Sequence, residues 1–209
     1  MVRIAKKAGA YHHGNLRRVL LDATVKLIEK DGVSAVSLHA LTRRTGVSSG
    51  APYHHFTSRE QLLATVAAEG FELLVAEMQQ SVAGTEADPV AYLEGLGRAY
   101  VRFAINHRGH FRVMFRAELA DQLPADEQRP GDEAFGLLER AILRCQDAGK
   151  LPAGDARPFV LLAWSLVHGA SDLWIDGSLT KVGLVPDGTD LADAVASTLV
   201  RLLTGQLRP

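Results

Sequence analysis

Apolar residues recur along most of this chain at the three- and four-residue spacing that puts side chains on one face of an α-helix. The first such face comprises Leu16, Leu20, Ala23 and Leu27. Asp31-Gly32 ends that helix, because glycine readily adopts the left-handed conformation that follows a C-terminus. Runs that alternate with period two, as strands do, are few. The pattern therefore predicts an all-α protein.

Residues that favour helix N-caps divide the pattern into separate helices. The candidate caps are Asn15, Ser37, Ser48-Ser49, Ser58 and Asp88, and Ser58 with Gln61 has the spacing of a capping box. The helices predicted from them cover 15–30, 38–45, about 49–56, 59–81 and 89 to about 108. A shorter helix holds Phe111, Met114 and Phe115, and helices over 132–148, 155–175 and 189–204 follow a polar loop at 121–132.

The segment 155–175 differs from the others because it is apolar nearly all round. Such a helix is buried on more than one side. On a small protein one of those sides is expected to be a contact between subunits. We therefore expect 155–175 and 189–204 to form the surface of a homodimer, pairing with their symmetry mates as a four-helix bundle.

Composition limits the class of protein. The chain has 209 residues, 47% of them hydrophobic and 22% charged, enough to bury a core. Its single cysteine, Cys145, excludes an intrachain disulfide and a cysteine-based zinc site. The N-terminus has no apolar signal-peptide core, and no stretch approaches ~18 uninterrupted apolar residues. We expect a cytoplasmic protein without a membrane segment.

Charge is distributed unevenly along the chain. Residues 1–61 contain ten Lys or Arg against four acidic residues, a balance of +6, whereas the remainder carries −7. A basic segment on a nearly neutral protein indicates a polyanionic partner. A solvated basic face is the other interpretation, and charge alone does not decide between them.

Residues 37–56 indicate what that partner is. Two short helices joined by a turn at Gly46 form a helix-turn-helix, with its own small apolar core. The second helix is short, capped by serines and rich in residues that donate or accept hydrogen bonds. Such a helix fits the major groove of DNA, where its N-terminal residues meet base edges.

The string LHALTRRTGVSSGAPYHHFTSREQLL, from Leu38 to Leu63, resembles the DNA-binding domain of the TetR family of transcriptional regulators. The resemblance covers about 12–75 and implies a DNA-binding domain at 12–60 and a ligand-binding and dimerisation domain at 61–209. Trp164-Ser-Leu-Val-His168-Gly is similar to a Trp-x-x-x-His-Gly segment of one TetR subgroup. Thr42 and Pro52 depart from the usual small Ala and Leu, which affects the groove geometry.

The resemblance also assigns expected roles to residues. Tyr53 and Arg59 would contact phosphate, as would Ser37 and His39 at the start of the first short helix. Ser48, Ser49 and Gly50 would allow close approach at the N-terminus of the second, and His54 or His55 would reach a base or phosphate. The arm with Arg3, Lys6 and Lys7 would enter the minor groove or add only salt-dependent affinity.

Aromatic residues point to an effector pocket, since ten of the chain's 13 follow residue 70. The expected lining is Phe71, Phe103, Met114, Phe115, Phe135, Trp164 and His168. For each aromatic taken singly, plain core is the other interpretation. His168 in an apolar helix could equally be a core histidine bonded to a carbonyl.

Nothing in the sequence indicates catalysis. It contains no phosphate-cradling loop and no His-Glu-x-x-His motif. The adjacent pairs His12-His13 and His54-His55 point in different directions on a helix and chelate poorly. We therefore expect no enzyme, no metal and no cofactor. A helical enzyme or a ligand-binding module without DNA contact remains a formal alternative, against which the basic helix-turn-helix argues.

The hypothesis that unites these observations is a TetR-like, DNA-binding regulator. It would be a homodimeric repressor on a palindromic operator of double-stranded DNA, because one such domain reads too few bases for specificity. A small apolar effector would release it by favouring a spacing of the two DNA-binding heads that no longer fits two half-sites.

Overall fold

A computed structural model describes residues 16–122, 130–185 and 190–206 of the chain. This part consists of helices and contains no strand, which confirms the all-α prediction. The α-helices are α1 (Leu16–Asp31), α2 (Leu38–Thr45), α3 (Arg59–Ser81), α4 (Pro89–Asn106), α5 (Arg108–Met114), α6 (Pro130–Asp147), α7 (Arg157–Ile175), α8 (Ser178–Lys181) and α9 (Leu191–Leu203). Three short 3-10 helices lie at Val33–Ala35, Ala51–His54 and Ala117–Gln122.

Capping side chains set most of these boundaries. Ser37 accepts a hydrogen bond from the amide of Ala40 at 3.0 Å, and α2 ends at Gly46 with φ 72°. Ser58 accepts from the amide of Gln61 at 3.0 Å. The side-chain oxygen of Gln61 accepts a hydrogen bond from the amide of Thr57 at 2.7 Å, not from that of Ser58. The capping box therefore involves the residue before the one predicted.

The structure corrects several predicted boundaries. The helix expected to reach 108 ends at Asn106, because His107 leaves the helical region at φ −118° and ψ 46°, and α5 begins at once. The predicted loop at 121–132 begins within a 3-10 helix and ends within α6. Helix α8 had no predicted counterpart. The predicted cap Asn15, the arm before it and 123–129 lie outside the described residues.

Two clusters of buried side chains make up the core. The first joins α1, α2, Phe56 and the first half of α3, and it also takes Val113 and Leu119 from further along the chain. The second joins the rest of α3 with α4, α6, α7 and α9. Helix α3 therefore runs through both clusters, and the predicted domain boundary at 60/61 falls in its first turn.

Helix α7 is long and apolar enough to pass the length and composition test for a membrane span. In this fold it packs against α4, α6 and α9. Its outer side leaves Leu161, Leu162 and Leu173 exposed. These exposed leucines belong to the segment that the sequence predicted to be apolar nearly all round and to contact a second subunit.

Candidate DNA-binding face and effector cavity

The second half of the helix-turn-helix is not the α-helix that the sequence predicted. It is a 3-10 helix over Ala51–His54, in which the amide of Tyr53 donates to the Gly50 carbonyl at 3.2 Å. Pro52 lies in the first turn of this helix, where its missing amide costs little. The segment returns to four-residue spacing only at Phe56, whose amide donates to the Pro52 carbonyl at 2.9 Å.

This face presents most of the predicted DNA contacts to solvent. The exposed residues are Ser37, His39, Ser48, Ser49, Gly50, Tyr53 and His54, while His55 is half-buried. Tyr53 is 60% exposed, which is unusual for an aromatic ring. Ser48, His54 and His55 line one open cleft of about 630 Å³ beside Leu16 at the start of α1. The structure therefore brings Ser48, His54 and His55 together in one cleft and leaves the other predicted contacts, apart from Arg59, accessible to solvent.

The buried Thr42 is accommodated without disturbing α2. Its hydroxyl donates to the His39 carbonyl at 2.8 Å, so the polar group that an alanine would lack has a partner within the helix. The departure from the usual small residue therefore leaves the helix-turn-helix packing intact.

Arg59 is engaged within the fold. Its Nε donates to the carbonyl of Val36 at 2.8 Å and its Nη2 to that of Val33 at 2.9 Å. These bonds tie the start of α3 to the connection between α1 and α2. The phosphate contact that the sequence predicted would compete with them.

A basic residue that was not predicted as a DNA contact lies next to the recognition segment, which is the second half of the helix-turn-helix up to Phe56. The guanidinium carbon of Arg17 in α1 lies 5.7 Å from the ring centroid of Phe56, a cation–π geometry that holds an exposed charge at this face. The excess of basic residues in 1–61 was the available signal, but it could not say which cation lies beside the recognition segment.

The described residues contain no group of three or more His, Cys, Asp or Glu placed to hold a metal ion. The pair His54 and His55 lies within the described part, and His12 and His13 lie outside it.

The larger helical unit encloses an apolar cavity of about 40 Å³ among α3, α4, α6 and α7. Of the predicted lining, Phe71, Phe115, Phe135 and Trp164 are in the wall, together with Tyr100 and Gly97. Three predicted residues are not. Phe103 is fully buried and stacks on His107, Met114 packs beneath Gly70, and His168 lies behind Tyr100.

A small polar group borders this cavity at one end. The Tyr100 hydroxyl lies 2.8 Å from Nδ1 of His168. Burial raises the pKa of Tyr100 and lowers that of His168, so both groups are neutral near pH 7. Among the described residues the buried indole N–H of Trp164 has no hydrogen-bond acceptor.

Helix α5 connects the cavity to the DNA-binding part of the chain. On one side its Phe111 ring lies 5.3 Å from His168 and 5.6 Å from Phe115. On the other, a Cβ added to Gly109 would lie 2.8 Å from a Val25 methyl of α1, so the two helices are in backbone contact there. Arg112 also donates to the Ile28 carbonyl of α1 at 3.2 Å.

A partly buried polar chain reinforces this junction. The Arg18 guanidinium of α1 donates twice to the carboxylate of Glu69 in α3, at 2.5 and 2.9 Å, and Glu69 lies 3.2 Å from Nε2 of His110 in α5. Burial favours a raised pKa for Glu69, but the hydrogen bonds from Arg18 and His110 outweigh it and hold the pKa below its usual value. Desolvation lowers the pKa of His110.

The predicted dimer surface is an open apolar groove of about 500 Å³ between α7 and α9. It is lined by Leu166, Gly169, Ala170 and Leu173 of α7 and by Leu191, Val195 and Thr198 of α9. In the sequence, Leu191, Val195, Thr198 and Leu202 are spaced as one stripe of this helix; the first three line the groove, and Leu202 is 41% exposed.

Comparison with known proteins gives two family matches. The model described as "Bacterial regulatory proteins, tetR family" matches residues 20–66. The model described as "Tetracyclin repressor-like, C-terminal domain" matches residues 93–199, about half of the chain.

Individual relatives agree with these matches. The chain is 39% identical over 195 residues to the HTH-type transcriptional repressor KstR of Rhodococcus jostii, covering 92% of this chain and 85% of that one. It is 30% identical to the regulator YobS of Bacillus subtilis over 48% of its own length, a match that spans only 51% of YobS. A solved structure of a protein of unknown function from Rhodococcus sp. RHA1 aligns with a TM-score of 0.75 at 34% identity, over 94% of this chain and 99% of that one.

Proposed function

We infer that this chain, which belongs to the TetR family of bacterial transcriptional regulators, is a repressor that leaves a palindromic operator when a small apolar molecule enters its cavity. The observation that carries this proposal is the helix-turn-helix, in which Tyr53 and several serines are exposed and Ser48, His54 and His55 share one open cleft. Exposed hydroxyl and imidazole groups can hydrogen-bond to the phosphate backbone and to the edges of bases.

The proposed DNA contacts divide by position. Ser37 and His39 lie at the N-terminus of α2, where the helix dipole and free amides favour a phosphate. Tyr53 would donate its hydroxyl to another phosphate. Ser48, Ser49 and Gly50 at the turn, with His54 and His55, would meet base edges. These contacts fit a domain of 12–60 acting as the reading head and 61–209 acting as the sensor.

Helix α5 supports a route between the cavity and the head. Phe115, directly after α5, lines the cavity, while Gly109 and Arg112 contact α1. A ligand that displaced Phe115 would move a rigid element that packs directly on the reading head. A ligand that contacts one arrangement of α5 better than the other would shift the protein away from its DNA-binding form.

The groove between α7 and α9 supports homodimerisation. Exposed leucines on α7 flank a groove of apolar and small residues, and a second copy of the same groove would bury them. A dimer would place two reading heads on two half-sites. The same proposal assigns the chain to the TetR subgroup with a Trp-x-x-x-His-Gly segment. It also places the protein in the cytoplasm, where it meets DNA.

The test is to incubate the purified full-length protein with sheared genomic DNA of its source organism and to sequence the bound fragments. We expect recovery of one or a few imperfect palindromes, with an affinity that falls steeply as salt is raised because phosphates are neutralised. Recovery of no enriched sequence at low salt, or a salt-independent interaction, would contradict a role as a DNA-binding repressor. Transcription from a promoter carrying the recovered palindrome separates repression from activation.

A further inference from the structure

The cavity has an unused hydrogen-bond donor at its polar end. The Tyr100 hydroxyl and Nδ1 of His168 lie 2.8 Å apart, and the Trp164 indole faces that hydroxyl without forming a hydrogen bond of normal geometry. Trp164 lines the same cavity, and in the described part of the chain its indole N–H is buried without an acceptor. An indole nitrogen can only donate. Trp164 Nε1 is therefore the group at this end that a ligand acceptor would satisfy.

Charge restricts what can supply that acceptor. The lining contains no Lys, Arg, Asp or Glu. A carboxylate or an ammonium group placed there would be buried without a counter-ion, at a cost far larger than that of a neutral polar group. The neighbouring histidine does not relieve this, because burial lowers the pKa of His168 and leaves it uncharged. The buried part of the ligand must be neutral.

The cavity must also widen, since about 40 Å³ holds little more than a water molecule or two. Phe135 is the wall residue best placed to allow this. It lines the cavity, is 38% exposed and meets the Trp164 ring edge-on at a centroid distance of 5.0 Å. Because Phe135 is partly in solvent and packs directly on Trp164, its displacement would widen the cavity at this wall.

We propose that the effector, whose existence rests on the function proposed above, places in this cavity a neutral hydrocarbon portion with one carbonyl oxygen that accepts a hydrogen bond from Trp164 Nε1. Ketones and esters have this chemistry. Free acids and amines do not, and pure hydrocarbons fill the space but leave the indole N–H without a partner.

Four probes of matched shape test the ligand class on the full-length protein: acetophenone, cumene, benzoate and benzamidinium. The chain has two tryptophans, so their two indole N–H signals can be followed separately by NMR. Acetophenone should bind and move the Trp164 indole proton downfield. Cumene should bind without that shift, and the two ions should not bind.

Two variants form the matched control. Trp164→Phe keeps an aromatic ring and removes the N–H, whereas Trp174→Phe removes an N–H from the same helix away from the cavity lining. Trp164→Phe should weaken the binding of acetophenone about three- to tenfold, which is the effect of one neutral hydrogen bond. The affinity for cumene should not change. Trp174→Phe should change neither. If Trp164→Phe folds poorly, the shift of the Trp164 indole proton in the wild-type protein still tests the hydrogen bond.

The proposal is overturned if benzoate binds as tightly as acetophenone, if Trp164→Phe leaves acetophenone binding unchanged, or if none of the four probes binds up to its solubility limit. Operator binding is measured on the same preparation without probe. Loss of the carbonyl preference with operator binding intact rejects this inference alone, whereas failure to bind operator rejects the proposed function.

Discussion

Tyr53 and Phe56 are aromatic residues three positions apart, yet Tyr53 is 60% exposed and Phe56 is 2% exposed. The 3-10 helix ends at His54, so Phe56 lies beyond it and packs into the core of the small domain, while Tyr53 within it stays in solvent. An exposed ring with a hydroxyl gains no burial energy from the fold, which is the physical reason to assign it to DNA.

Tyr53→Phe removes only that hydroxyl. We expect operator affinity to fall by about 1–3 kcal/mol, the value of a hydrogen bond to a charged phosphate, and to fall alike for all DNA sequences. The melting temperature should not change, since the side chain is exposed. Fluorescence anisotropy with operator and random duplexes measures this, with Tyr92→Phe in α4 as the control. An unaltered affinity would remove Tyr53 from the interface.

Arg59→Ala separates a structural role from a DNA contact. The two bonds to the Val33 and Val36 carbonyls predict a loss of about 1–3 kcal/mol of folding stability, with little change in the salt dependence of operator binding. Arg43→Ala, at an exposed position of α2, should leave stability unchanged. A salt slope lowered by about one unit without loss of stability would instead support the phosphate contact that the sequence predicted.

At the scale of elements, α5 is the shortest helix that touches both hydrophobic clusters. Phe111 and Met114 belong to the cluster around the cavity, and Val113 belongs to the cluster of the DNA-binding part. Its close approach to α1 depends on the missing side chain of Gly109. The contact is therefore sensitive to a single methyl group.

Gly109→Ala tests this contact. The new Cβ would lie 2.8 Å from a Val25 methyl and 2.9 Å from the Val25 carbonyl, so α5 or α1 must move. We expect a loss of about 1–3 kcal/mol in stability from overpacking and a change in operator affinity without any ligand. Chemical denaturation and anisotropy measure the two effects.

Gly136→Ala in α6 is the matched control for that change. Its Cβ would meet only the end of the flexible, exposed Arg140 side chain, at 2.9 Å. Alanine favours a helix over glycine by up to about 1 kcal/mol, so this variant should be neutral or slightly stabilising. Equal behaviour of the two variants would mean that the contact between α1 and α5 does not couple the cavity to the reading head.

Across the whole chain, basic residues are concentrated in the first 61 residues of the sequence, whereas most exposed leucines belong to α7 and the segment that follows it. Residues 1–61 carry a net charge of +6. Leu161, Leu162, Leu173 and Leu184 are exposed, and two of them, Leu173 and Leu184, line the groove between α7 and α9. Like-charged heads repel, so a dimer is best held by the apolar ends of the two chains.

Thr198→Arg places a charge in that groove without disturbing the single chain, because Thr198 is exposed. We expect sedimentation velocity to show monomers, circular dichroism to show unchanged helix content, and operator affinity to fall sharply as the two heads are uncoupled. Gln80→Arg at an exposed position of α3 is the charge-matched control. A dimer that persists in Thr198→Arg would mean that the interface lies elsewhere.

Local chemistry explains what the sequence alone determined. Helix α2 spans the predicted Leu38–Thr45, because a serine cap, a left-handed glycine and apolar periodicity all act within one or two turns. The helix-turn-helix, the apolar girth of 155–175 and four of the seven expected cavity residues followed from the same short-range patterns and from the resemblance to a family.

Contacts between distant segments decided the rest. Arg59 bonds carbonyls 23 and 26 residues away, and Gly109 meets α1 across more than 80 residues of chain. Periodicity places Phe103 and Met114 on apolar faces but cannot distinguish a solid core from a cavity wall, because that depends on which opposing helix fills the space. The unpartnered indole of Trp164 is likewise defined only by the packing around it, since any tryptophan carries the same N–H.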